Sequence, residues 1–157
     1  MARIKLNLPS DYIFKTEIPV LVTDINYGNH MGNDTVLSKA HEARLRFFIS
    51  LGYKDELDFE DGLGIVIADA VVVYKSEAFY GDVLQVSIAV DEHNKYGFDM
   101  FYLFRNKQTG KEVARAKTGI VFFNYAERKV AKVPVALLEK LQSIRSKPNP
   151  GLSDGSM

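Results

Sequence analysis

Apolar residues recur along this chain at two different spacings, and the change from one to the other divides it. Residues 14–23 (FKTEIPVLVT) are extended by composition and predict a first strand. Pro19 has no N–H to give, which places that strand at a sheet edge or a bulge near its middle. A turn-rich stretch, 26–34, follows, with Gly28 and Gly32 inside it and Asn33 or Asp34 as the cap of the next element. Over 35–51, Val36, Ala40, Ala43, Phe47 and Leu51 fall on one stripe at spacings of three and four, widened by Leu37 and Phe48. This predicts one helix, ended at Gly52. At 1.5 Å per residue it is about 25 Å long, enough to cross a sheet.

After a charged loop or short helix at 54–61 the period falls to two. Residues 64–77 are so rich in Val and Ile that a strand buried on both faces is expected. Over 83–91, Leu84, Val86, Ile88 and Val90 share one side; over 98–106, Phe98, Met100, Tyr102 and Phe104 do so. Residues 112–124 predict another strand, which 128–133 extend, and Pro134 opens a short helix at 134–145. Turns at 81–82, 94–97 and 109–110 keep the connections short, so neighbouring strands are expected to be antiparallel. One long helix must bury its stripe against that sheet, which gives a single two-layer α+β domain over 1–145. The sheet's other face still carries apolar side chains, so a homodimer or homotetramer is expected. Residues 146–157, with Pro148, Pro150, Gly151 and Gly155, read as a flexible tail.

Composition narrows the function. The 157 residues are 46% hydrophobic and 25% charged, which suits one domain with a substantial core. Twenty basic and twenty acidic side chains give a net charge of zero, so there is no electrostatic case for nucleic acid or an anionic membrane surface. With no cysteine, disulfides, thiolate nucleophiles and Cys-based zinc sites are excluded. The first residues are broken by charge, and no run of about 18 apolar residues occurs later, so neither a signal core nor a membrane span is expected. A cytoplasmic protein fits these features. The three histidines are too scattered to predict a metal site.

The densest group of reactive side chains lies between the first strand and the long helix: Asp24, Asn26, Asn29, His30, Asn33 and Asp34. The helix start beside them offers unpaired N–H groups and the positive end of a dipole. Such an end can polarise a thioester carbonyl and hold the oxyanion formed on attack. A carboxylate nearby can activate water, and a histidine can relay a proton. An Asx- and Gly-rich turn that merely caps a helix has the same composition, and a cleft decides between the two. Asp69, among Ile65, Ile67, Val71 and Val73, needs a bonded partner or a pocket to face. Arg44, at the edge of the helical stripe, is expected to pair with a carboxylate, Asp24 or a neighbour's Glu42. His41 reads as a helix-surface or interface residue and His93 as a turn residue. The aromatics from Phe98 to Phe123 read as core and interface.

The stretch VTDINYGNHMGND, followed by His41-Glu42-Ala43-Arg44 on the helix, resembles the opening of the 4-hydroxybenzoyl-CoA thioesterase-like hotdog family. There the pattern is D-x-D-x-x-G-H-V-N-N, then a helix with E-A-R. Residues 74–82 (YKSEAFYGD) are similar to the family's Y-x-x-P-x-x-x-G-D, and Gly119-Ile120-Val121-Phe122-Phe123 to its last long strand. The resemblance runs from about residue 18 to 141. It implies a hotdog fold, an antiparallel sheet of about five strands wrapped around one long central helix. It also implies hydrolysis of an acyl-CoA or acyl-carrier-protein thioester, with coenzyme A as part of the substrate and no separate cofactor.

Aligned on His30, Asp24 takes the family's first acidic position and Asn26 the second, where the carboxylate usually implicated in catalysis stands. Asparagine cannot act as a general base. Plant-type acyl-carrier-protein thioesterases pair a D-x-N-x-H motif with a Glu on a later strand. Asp24-Ile25-Asn26, His30 and Tyr74-Lys75-Ser76-Glu77 are similar to these, with Glu77 as the matching carboxylate. The expected catalytic group is therefore Asp24, Asn26, His30 and Glu77, with water activated by Glu77 or Asp24 and with Asn26 and His30 binding substrate or polarising the water. Gly32, Asn33, Asp69 and Lys75 are the expected substrate-binding residues. Lys75, Arg105, Lys107 and Lys117 are candidates for the CoA phosphates. A hydratase of the same fold, with D-x-N-x-x-H, and a non-catalytic acyl-CoA-binding module are the alternatives.

Overall fold

The computed structural model describes residues 2–91 and 94–146. In chain order the elements are β1 (Phe14–Pro19), α1 (Thr35–Ser50), β2 (Gly64–Tyr74), β3 (Val83–Asp91), β4 (Gly97–Asn106), β5 (Glu112–Asn124), β6 (Lys129–Val130) and α2 (Val135–Ser146). All pairings are antiparallel, in the order β1-β3-β4-β5-β2, with the short β6 on β5. Helix α1 lies across this sheet and touches β1, β3 and β5. A six-stranded antiparallel sheet around one long helix is the hotdog fold, with β6 added to the five expected strands. His93 and residues 147–157, most of the expected tail, lie outside the described residues.

The helical stripe does what its spacing predicts: Val36, Ala40, Ala43, Phe47 and Phe48 are all buried. Ala40 and Ala43 have no exposed surface, so the helix backbone sits close to the sheet, and a larger side chain there would overpack the core by about 1–3 kcal/mol. Leu37 instead stays 41% exposed. The inward faces of β3 and β4 (Leu84, Val86, Ile88, Met100, Tyr102, Phe104) are sealed completely. Phe48, Phe59 and Phe122 link helix to sheet edge-to-face, at centroid distances of 5.0 and 5.2 Å.

Three expectations are corrected. The first strand ends at Pro19, not at 23. Proline cannot continue the ladder, and Asp24 then takes the Leu21 N–H at 2.7 Å and turns the chain through one 3-10 turn at Val22–Asp24. Strand β2 is not buried on both faces, because it closes the sheet order and has β5 on one side only; residues 67–70 are exposed. It ends at Tyr74 because the N–H groups of Lys75 and Ser76 both go to the Val113 carbonyl, which peels the chain off the ladder. Arg44 pairs with a carboxylate as expected, but within the chain that partner is Glu56 and not Asp24. Its Nε donates to Glu56 at 2.5 Å and its Nη1 to the Tyr102 hydroxyl at 3.1 Å, itself 2.8 Å from Thr118 Oγ1. His41 joins the same Glu56 from the helix surface at 2.7 Å.

Candidate active site

The loop between β1 and α1 is a tight knot whose bonds are local. Ile25 and Met31 bridge as a minimal antiparallel pair. Inside it, the Asn26 N–H donates to the His30 carbonyl at 3.0 Å, and Asn26 Oδ1 accepts the Gly28 N–H at 2.9 Å. Asn29 sits at φ 65°, a conformation asparagine tolerates better than most residues. Gly28 passes between two side chains: a Cβ there would lie 3.2 Å from both Asn26 Oδ1 and His30 Nε2. Asparagine at 26 thus closes an Asx turn that aims His30 outward.

Beneath the knot, Asp24 is an anchor. Its carboxylate pairs with Lys39 Nζ at 2.5 Å, and both side chains are largely buried, at 13% and 8% exposure. Lys39 also donates to the Pro19 carbonyl at 3.1 Å, and the Asp24 carbonyl accepts the Gly32 N–H at 2.9 Å. The pair therefore ties together the end of β1, the knot and the helix.

The Met31 N–H donates to the Ala78 carbonyl at 2.7 Å and clamps the knot to the segment leaving β2. This places Glu77 Oε2 3.9 Å from His30 Nε2. Tyr74 adds a second tie, its hydroxyl donating to the Asn33 carbonyl at 2.9 Å. Between these segments opens a cleft of about 430 Å³, lined by His30, Gly32, Asn33, Lys75 and Glu77 on its polar side and by Val36 and Val113 on its apolar side. Helix α1 begins here. The Thr35 N–H is taken by the Gly32 carbonyl at 3.1 Å, but the cap residue, Asp34, makes no side-chain hydrogen bond, so it leaves the amides from Val36 onward uncapped.

The tautomer of His30 follows from its neighbours. Nδ1 lies 3.1 Å from the Met31 carbonyl, which can only accept, so Nδ1 carries the proton in the neutral ring. Nε2 is then an acceptor, and it faces a carboxylate oxygen, also an acceptor, across a gap too long for a direct hydrogen bond. What fits between two acceptors is a molecule with two protons to give, and water is the simplest.

Asp24 and Asn26 are not among the cleft's lining residues. Asp69 is on the outer face of the sheet, 61% exposed and 2.8 Å from Lys117 Nζ. That hydrogen bond holds its carboxyl below the usual range, whereas burial lifts Asp99, 3.8 Å from the same lysine. Of the phosphate candidates, Lys117 is taken by Asp69, and Lys107 pairs with Glu17 at 3.0 Å. The sequence carries the roles of Lys39 and Tyr74 unequally. Tyr74 was visible as the first letter of the quoted Y-x-x-E stretch. Lys39 gave no signal, because a lysine among polar helix positions looks solvated.

Residues 20–141 match the thioesterase-like superfamily, and the chain belongs to that family. A protein of Aquifex aeolicus (strain VF5), provisionally named an esterase, is 25% identical over 131 residues, 83% of this chain and 98% of its own. Among solved structures, Slr0204 from Synechocystis, a 1,4-dihydroxy-2-naphthoyl-CoA thioesterase, is 21% identical, with 86% of this chain and 98% of that one covered and a TM-score of 0.69. A thioesterase from Thermus thermophilus, solved with coenzyme A and Zn, is 20% identical, with 89% and 100% covered and a TM-score of 0.74. The class is that of hotdog-fold thioester hydrolases.

Proposed function

We propose that the protein hydrolyses acyl-CoA thioesters to the free acid and coenzyme A, with the water held between Glu77 and His30. The observation that carries this is the approach of His30 Nε2 to Glu77 Oε2, 3.9 Å apart, at the mouth of a cleft that also receives a helix start without a side-chain cap. The water oxygen attacks the thioester carbonyl carbon as one of its protons passes to Glu77. The oxyanion is met by the leading amides of α1. The C–S bond then breaks, and the departing sulfur takes the proton from Glu77. Asn26 shapes the loop, Asp24 anchors it, and Gly32, Asn33 and Lys75 meet the substrate. No cofactor enters this route; coenzyme A arrives as part of the substrate.

Steady release of free thiol from a panel of short, long and aromatic acyl-CoAs tests the reading, and a protein without cysteine gives no background with thiol reagents. A change in enoyl-CoA absorbance without thiol release would point to the hydratase, and saturable binding with neither to a binding module.

The working unit in this reading is a homo-oligomer. The free edge of β2 supports it: Ile67 is 42% exposed beside Ala68 and Ala70, and no proline guards the strand. Among the described residues no helix is long and apolar enough to cross a membrane. Action on free CoA thioesters by a cysteine-free chain fits the cytoplasm.

A further inference from the structure

The cleft does not end at Lys75. Tyr74 and Lys75 also line a groove of about 840 Å³ between residues 2–7 and the β2 residues Val72 and Val73, floored by Arg115. Asn7 and Arg115 in turn line a third hollow of about 470 Å³, which adds Ser10, Tyr12 and Arg105. Tyr74 and Lys75 are common walls of the first two hollows and Asn7 and Arg115 of the second and third, so the three adjoin in a run from the Glu77–His30 pair, past the N-terminal segment, to Arg105.

Charge distinguishes this run from the rest of the surface. The chain is neutral, and nine of its described cations meet a carboxylate, among them Lys39, Arg44, Arg46, Lys107, Lys117 and Arg145. Arg3, Lys5, Lys75, Lys111 and Arg105 meet none among the described residues, and all five line the run. Elsewhere, Lys95 and Arg128 lie over aromatic rings, and Lys54 and Lys132 are exposed. Two carboxylates line the run: Glu77, beside His30 at its head, and Glu112, held by Arg115 at 2.5 and 3.2 Å. Arg105 goes further: its Nε is buried and has no hydrogen-bond partner. A buried guanidinium N–H without an acceptor costs free energy that an arriving anion would recover.

We propose that this run is the seat of the phosphate-bearing half of the CoA substrate, with residues 2–7 as a strap over it. The inference rests on the thioesterase reading and adds to it the anion subsite and the reason coenzyme A is taken in place of a carrier protein. The dimensions agree. From Glu77 back to Val72 is a span of at most about 17 Å at 3.3 Å per residue. The pantetheine arm, as long as roughly four extended residues, reaches about 14 Å. A thioester at Glu77 therefore puts the diphosphate beside Arg3, Lys5 and Arg115. Arg115 Nη1 holds the strap by donating to the Leu6 carbonyl at 3.0 Å, and Arg3, Ile4 and Lys5 are exposed. It can admit and cover a free nucleotide. A carrier protein, whose phosphodiester is fixed to its own surface, would find the groove roofed.

The test compares one acyl group on coenzyme A, on an acyl-carrier protein and on N-acetylcysteamine, which has no phosphate. Neither Arg3 nor Lys5 contacts the core, so the double variant Arg3→Glu/Lys5→Glu keeps the fold. It should raise KM for the acyl-CoA about tenfold or more, with kcat unchanged, and leave the N-acetylcysteamine thioester unaffected. Arg105→Ala should weaken binding of free coenzyme A, measured by calorimetry, in the same direction. An unchanged KM for acyl-CoA, an equal change on both small thioesters, or faster turnover of the carrier-protein substrate than of acyl-CoA would overturn the subsite. Failure of the parent reading looks different. No thioester would then be hydrolysed, and the calorimetric arm would still decide whether coenzyme A binds and whether these cations hold it.

Discussion

His30 Nε2 and Glu77 Oε2 face each other at 3.9 Å across the mouth of the cleft, brought there by one backbone bond, from the Met31 N–H to the Ala78 carbonyl. Each side chain is adjacent in sequence to one partner of that bond, so the clamp fixes the pair directly. In the proposed hydrolysis they act on one water as a unit. Glu77→Gln puts an N–H donor where an acceptor stood and removes the base; kcat should fall about 10²–10⁴-fold with little change in KM. His30→Ala should cost a similar factor, and the double variant should be scarcely worse than either single one, since each removes the same bound water. Multiplying losses would show that the two side chains act independently.

Asp24 is assigned to architecture by the same kind of geometry. Its pair with Lys39 is largely removed from water, and truncating one partner leaves the other charge buried. Lys39→Met should therefore destabilise the fold by about 3–5 kcal/mol in urea denaturation, and Lys39→Met/Asp24→Asn should recover much of that. Asp24→Asn at a temperature where it stays folded should keep most of its kcat. A loss of more than about a hundredfold with stability intact would make Asp24 the base in place of Glu77.

These two pairs show what a sequence carries and what it does not. The stripe from Val36 to Phe47 and the alternation from Leu84 to Val90 announce their elements because burial imposes a period on local sequence. The density of Asn, Gly and His around residue 30 announces a shaped loop. The covering of a strand leaves no such mark: the Val- and Ile-rich β2 looks like a central strand and is an edge, since composition says a strand is apolar without saying what lies on it. Partners across the fold are equally silent. Lys39 reads as a solvated helix residue until Asp24 arrives from the preceding turn, and Asp69 reads as a pocket residue until the shift in register after Ile67 brings it beside Lys117.

Asp69 and Asp99 share Lys117 and should answer pH with opposite signs. The Lys117 hydrogen bond lowers Asp69 below its ordinary 3.8, so its contribution to stability is present above that value and is lost as pH falls through the folded pKa. Burial raises Asp99 above 3.8, so ionising it opposes folding: stability falls as pH rises from 3.8 through its folded pKa and is level thereafter. At neutral pH, Asp69→Asn should lower the urea midpoint and Asp99→Asn should raise it. Both differences should shrink toward zero at the acid end of the titration. Shifts of the same sign at neutral pH would contradict the assignment.

The exposed stretch of the β2 edge suits a second copy of the chain. One side of this strand pairs with β5; on the other, Ile65 is already bonded, its N–H to the Glu56 carbonyl at 3.1 Å and its carbonyl to the Tyr125 hydroxyl at 2.8 Å, and the exposed stretch is residues 67–70. Ile67, 42% exposed, and the neighbouring alanines offer an apolar, low-profile line with one charge, Asp69, along the exposed stretch. Proteins usually protect such an edge with lysine, proline or a covering loop. A second copy laid antiparallel on it would satisfy both edges at once by twofold symmetry. Sedimentation equilibrium should find the wild type as a dimer or a tetramer. Ile67→Lys/Ala68→Glu, which changes only exposed side chains, should weaken self-association at least tenfold and leave the monomer folded by circular dichroism. A wild-type chain that sediments as a monomer would remove the oligomer from the reading, and an unaltered mass in the variant would move the interface to another face of the sheet.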